Sequence, residues 1–335
     1  MDHRQKAVRI ILAVMVCALA AQAMRYLKGP LVKILSYPQV AEALVYMETG
    51  RVVKPTQPQD TAGTVETTLP QQYTEPVTEG ISFAEGDADL VQVSNFSPYT
   101  VDIPALLLTE LRWDLTQTQP KVLILHSHAT ESYTQTAQFS YTPSASYRTL
   151  DTQYNMIRIG QALKQALEAK GIVVIHDTTL HDHPSYNDAY INSRETAQYW
   201  LEKYPSISLV IDLHRDASDS NAGQLDTAAV VEGESSAQLM LVVGSNASGR
   251  NHPHWERNMA LAAKLHVQLQ KRFPGICRPI SFRTERFNQD LSAGALLIEV
   301  GAAGDTLEEA LVAAEALAAG IADLAAGTVT VSSTS

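Results

Sequence analysis

From about Val91 onward, short apolar runs alternate with amphipathic stretches, which is the rhythm of an α/β domain with a central, mostly parallel sheet flanked by helices. Val122 to Leu125, Ile172 to Ile175, Leu209 to Leu213, Ala228 to Val231, Leu239 to Val243 and Leu296 to Ile298 read as strands. Runs apolar at every position suit strands covered on both faces. Met156, Gly160, Leu163 and Leu167 recur at helical spacing over Tyr154 to Ala169, and Gly171 supplies the stop. Further helices are predicted over Ala189 to Lys203, His254 to Phe273 and Thr306 to Leu324. The last has Asp305 and Thr306 as cap candidates and Glu308 and Glu309 in its first turn. Sheets of this kind carry their active sites at the carboxyl ends of strands.

Before this domain the pattern differs. His3, Arg4, Lys6 and Arg9 precede an uncharged run from Ile10 to Met24, short for a membrane span but able to cross if Arg9 and Arg25 snorkel to the interfaces. The rival reading is a cleaved signal peptide, because Ala21-Gln22-Ala23 has the small-x-small form of a cleavage site. Either one exports the rest of the chain. Leu31, Ile34, Leu35, Val40 and Leu44 then suggest a helical stalk, and a Pro-, Thr-, Gln- and Glu-rich linker follows from Arg51 to about Asp87. The layout expected is a membrane anchor over 1–28, stalk and linker over 29–90, and an extracytoplasmic catalytic domain over 91–328, held at the cell membrane by a single pass.

Charge narrows the partners. A formal net charge of -11 argues against a nucleic-acid surface, which needs clustered Lys and Arg. The chain has two cysteines, Cys17 in the apolar run and Cys277 far downstream, so the soluble part has no internal disulfide and no thiolate zinc site.

The chemistry sits where strands end. Val122 to Leu125 runs into His126-Ser127-His128-Ala129-Thr130-Glu131, Leu209 to Leu213 runs into His214-Arg215-Asp216, and Leu296 to Ile298 ends at Glu299 with Gly301 close behind. Two imidazoles and a carboxylate at one sheet edge suit a catalytic zinc site with a position left for water. A second carboxylate would take the proton, and Glu299 is placed for that role unless it pairs with Arg215.

The stretches Lys121 to Tyr133, Asn155 to Gly160, His181 to Tyr190 with Ser193-Arg194, Ile211 to Ala217 and Leu297 to Gly301 resemble, in order, the stage II sporulation protein P family of engulfment peptidoglycan hydrolases. The resemblance runs over roughly residues 93 to 325. It implies a fold similar to zinc-dependent N-acetylmuramoyl-L-alanine amidases and, by position, Zn2+ ligands at His128, Asp151 and His214, with Glu299 as the catalytic Glu. Those amidases carry Glu where this chain has Asp151, so Glu131 stays a rival, as ligand or as base. His126, Arg194 and Arg215 fall to orienting or substrate-binding roles. The same resemblance implies peptidoglycan as substrate, possible endopeptidase activity on cross-links, and stage II sporulation proteins D and M as partners.

Overall fold

The computed structural model describes residues 83–326 apart from 85, 112–114, 116–117, 218 and 221–222. All of these belong to one unit of the chain. The expected anchor, stalk and most of the linker lie outside the described residues, and among the described residues no helix is long and apolar enough to cross a membrane.

In chain order the elements are β1 (Val93–Asn95), α1 (Ile103–Leu108), β2 (Val122–Leu125), α2 (Met156–Glu168), β3 (Val174–His176), α3 (Ala189–Lys203), β4 (Leu209–Asp216), β5 (Asp219–Ser220), β6 (Gly223–Gln224), β7 (Ala228–Val231), β8 (Glu234–Ala237), β9 (Leu239–Val243), α4 (Trp255–Arg272), β10 (Ile280–Phe282), β11 (Ala295–Ala302) and α5 (Leu307–Ala326). The main sheet runs β1-β10-β9-β11-β4-β2-β3 and is parallel except where β9 meets β11. Mixed α/β architecture with a mostly parallel, helix-flanked sheet is therefore the fold. β7 pairs with β8 in a separate hairpin, so Ala228 to Val231 forms a strand but not one of the main sheet.

Strand alternation sends each face of the sheet to a different neighbour. Ile211 and Leu213 of β4, with Leu296, Ile298 and Val300 of β11, join the large core beneath α2, α4 and α5. Leu123, Leu125 and Val210 face the other way and pack with Ala197 of α3 in a smaller cluster. The elements are capped where the sequence permits. Asn155 accepts from the Ile157 N–H to start α2, and Thr306 and Glu309 cap each other's backbone N–H groups at the start of α5. Asp305 instead ties the preceding turn, accepting from Thr227 and from the Ala302 N–H.

β4 and β11 are both longer than their apolar cores, and the extra residues are the polar ones. β4 continues through His214-Arg215-Asp216 and β11 through Glu299 to Ala302. The β11–β4 register slips between Glu299 and Ala302, where Gly301 takes φ +70°. Such a bulge re-aims the strand end beside a site.

Candidate active site

The carboxyl ends of β2, β4 and β11 open onto a groove of about 590 Å³ lined by His128, Glu131, His214 and Glu299 among others. Glu299 stands directly beside His214 in the sheet register. The rings of His128 and His214 meet edge to face at 5.5 Å, and Glu131 Oε2 lies 3.6 Å from His214 Nδ1. Behind His214, Asp212 accepts at 2.8 Å from Nε2. That carboxylate is itself fixed by the Ser127 N–H and hydroxyl. Asp212 thus fixes the imidazole's orientation and leaves Nδ1 on the Glu131 side, the way an outer carboxylate sets a metal-ligating His.

The electrostatics are those of a site built around positive charge. Burial opposes a charge on His214, but the Asp212 and Glu131 carboxylates outweigh it and raise its pKa. Burial would likewise raise Asp212, yet His214 and the Ser127 hydrogen bonds bring it down to about 2. Burial and the neighbouring His214 lower His128, which is therefore neutral. Burial pushes Glu299 up to about 8, with His214 pulling the other way.

The residues present fit a divalent cation. Nδ1 of His128 and Oε2 of Glu299 are buried without a hydrogen-bond partner, a costly state that a bound group would relieve. Two imidazoles and a carboxylate are the donor set zinc takes, and Glu131 Oε2 stands 3.6 Å from His214 Nδ1. Among the described residues no group of three or more His, Cys, Asp or Glu side chains is placed to hold a metal ion.

Several residues named from the sequence stand elsewhere. Asp151 is exposed, accepts from the Gln153 N–H in a local turn and does not line the groove, whereas Glu131 does. His126 is fully buried, bonded from Nδ1 to the Leu213 carbonyl and from Nε2 to His176. It cannot touch substrate, and burial beside His176 lowers it to about 3. Arg194 grips Asp290 with two hydrogen bonds of 2.9 and 2.8 Å and so holds α3 to the loop before β11 rather than a ligand. Arg215 does line the groove, but it donates to the carbonyls of Ser132 and Tyr147, bracing the loop that carries Glu131, and forms no ion pair with Glu299.

Residues of the groove lining and next to it complete the surroundings of His128. Arg148 bonds Glu131 at 3.1 Å and Asp182 at 2.8 Å and lies 4.7 Å from the Tyr186 ring, which stacks on His128 at 4.5 Å. Tyr190 meets His128 edge to face. Nothing periodic in the sequence ties Arg148 or Asp182 to the site.

The family model of stage II sporulation protein P matches residues 36–322. Stage II sporulation protein P of Bacillus subtilis (strain 168) is 29% identical over 208 residues, 59% of this chain and 49% of that protein. The matched part thus spans about half the length of that relative. Solved structures similar to this one include the N-acetylmuramyl-L-alanine amidase Ami1 of Mycobacterium smegmatis, 13% identical with a TM-score of 0.38, covering 64% of this chain and 99% of that one. The CwlD amidase of Clostridioides difficile, solved with the GerS lipoprotein, is 14% identical with a TM-score of 0.38, covering 62% and 98%. The chain belongs to the stage II sporulation protein P family.

Proposed function

We propose that the chain is a zinc-dependent peptidoglycan hydrolase that cuts the amide between the lactyl group of muramic acid and the L-Ala of the stem peptide, outside the cytoplasm, in the wall remodelling of engulfment. The observation that carries this reading is the meeting of His128, His214, Glu131 and Glu299 in one groove at the strand ends. His128, Glu131 and His214 are the residues that would hold the ion. A divalent ion there supplies Lewis acidity to the scissile carbonyl and lowers the pKa of water to about 7. Glu299 takes the proton of the attacking water and hands it to the departing amine of L-Ala as the C–N bond breaks. Asp212 holds His214 in place throughout, and Arg215 keeps the Glu131 loop from moving away. Family membership also brings stage II sporulation proteins D and M forward as partners.

Metal analysis of the purified protein tests the ligand assignment. Wild type should bind about one zinc ion, and His214→Ala should lose both the ion and some thermal stability, since a bound ion stabilises the fold by mass action. Equal zinc content in the two proteins would remove His214 from the ligand set. Release of cross-link peptides without peptide-free glycan would instead make the enzyme an endopeptidase.

A further inference from the structure

The groove does not stop at the catalytic edge. It continues over the faces of β11, β9, β10 and β1, where Leu297, Val242, Ser281 and Ser94 stand opposite one another in register and make a continuous row across the strands. Arg283 and Phe96, two residues beyond Ser281 and Ser94 on the same face, close the far end. The guanidinium lies 5.1 Å from the Phe96 ring, which is 61% exposed.

A row of two apolar side chains followed by two hydroxyls matches an extended peptide, which presents amides and small side chains together. Two strand spacings across and several residues along separate Glu299 from Arg283, on the order of 15 Å. An extended chain of about four residues spans that distance. The cation at the end is available. Arg278, nearer the catalytic edge, is held by Asp216 at 2.7 Å, whereas the carboxylate beside Arg283, that of Glu285, is 3.7 Å away and largely solvated. So loose an exposed pair gives way readily to a ligand carboxylate.

We infer that this row seats the carboxylate-bearing peptide arm of the substrate in extended form and that Arg283 receives one of its carboxylates. The inference rests on the hydrolase reading for the direction of the arm, but its test does not require turnover. A synthetic muramoyl tetrapeptide with free carboxylates, and the same compound with the carboxylates amidated, are titrated into the full chain by calorimetry, with cleavage followed in parallel.

Wild type should bind the free acid about tenfold more tightly than the amide. Arg283→Ala should abolish that preference and Arg283→Lys should restore part of it, while Lys170→Ala, outside the groove, should leave it intact. A cooperative melt for each variant shows that the fold is kept. In turnover, Arg283→Ala should raise KM for the free acid with little change in kcat. Equal binding of the two compounds by wild type, a preference that survives Arg283→Ala, or binding of neither compound would overturn the inference. A preference that depends on Arg283 without any peptide release would leave the subsite standing and sink the hydrolase reading instead.

Discussion

At the scale of single residues, the groove draws its histidines and its buried carboxylates from the ends of strands and the loops that follow them. His128, His214 and Glu299 each interrupt or terminate an apolar run, and the fold brings all of them to one groove. Asp151 and Glu131 show the limit of that reasoning. The family resemblance favoured Asp151, but its carboxylate accepts from the Gln153 N–H in an exposed local turn, while Glu131 is drawn inward by Arg148 and the Arg215 N–H. The tertiary contact decides which acid stands beside His214. Glu131→Ala should therefore lower zinc content severely, and Asp151→Ala should leave it near one ion per chain. The opposite pattern in metal analysis would return the ligand role to Asp151.

At the scale of elements, the long helices and the buried strands followed from periodicity, but the short strands β1 and β10 and the reversal at β9 did not. Three-residue strands carry too few positions to show a period, and strand direction is set by pairing that no local pattern encodes. His126 lies away from the groove for a related reason. It follows an apolar strand just as His128 does, yet α2 crosses close above it, and Gly160 is the position that permits the crossing. A Cβ there would collide with Nε2 of both His126 and His176. Gly160→Ala is expected to destabilise the domain by about 1–3 kcal/mol, read as a lower denaturation midpoint. An unchanged midpoint would mean the helix can shift without loss.

The tie between α3 and the loop before β11 gives a pH dependence. Burial alone would raise the pKa of Asp290, but the hydrogen bonds and charge of Arg194, aided by Arg286, leave it below the ordinary value. A group depressed in the folded state stabilises above its unfolded pKa and loses that contribution as pH falls through the folded value. Arg194→Ala should accordingly cost about 1–2 kcal/mol at neutral pH, and the gap from wild type should shrink below about pH 4. Melting curves across that range check it, and a gap independent of pH would show that packing rather than the ion pair is lost.

At the scale of the whole molecule, one side of the sheet is closed by α2, α4 and α5, and the other is shared between α3 and the groove. That division lets a rigid core position a polar edge and leaves a substrate-sized face beside it. Glu299→Gln isolates the chemistry, because it preserves shape while removing the base, so zinc content should stay at the wild-type level. Mass spectrometry of purified peptidoglycan after incubation with wild type and with Glu299→Gln is the most direct measurement. Wild type should release intact stem peptides ending in a free L-Ala amine and leave peptide-free glycan, and Glu299→Gln should do so about 10² to 10⁴ times more slowly. Near wild-type release by Glu299→Gln, or wild-type products whose glycan still carries L-Ala, would contradict the proposed amide cleavage by this groove.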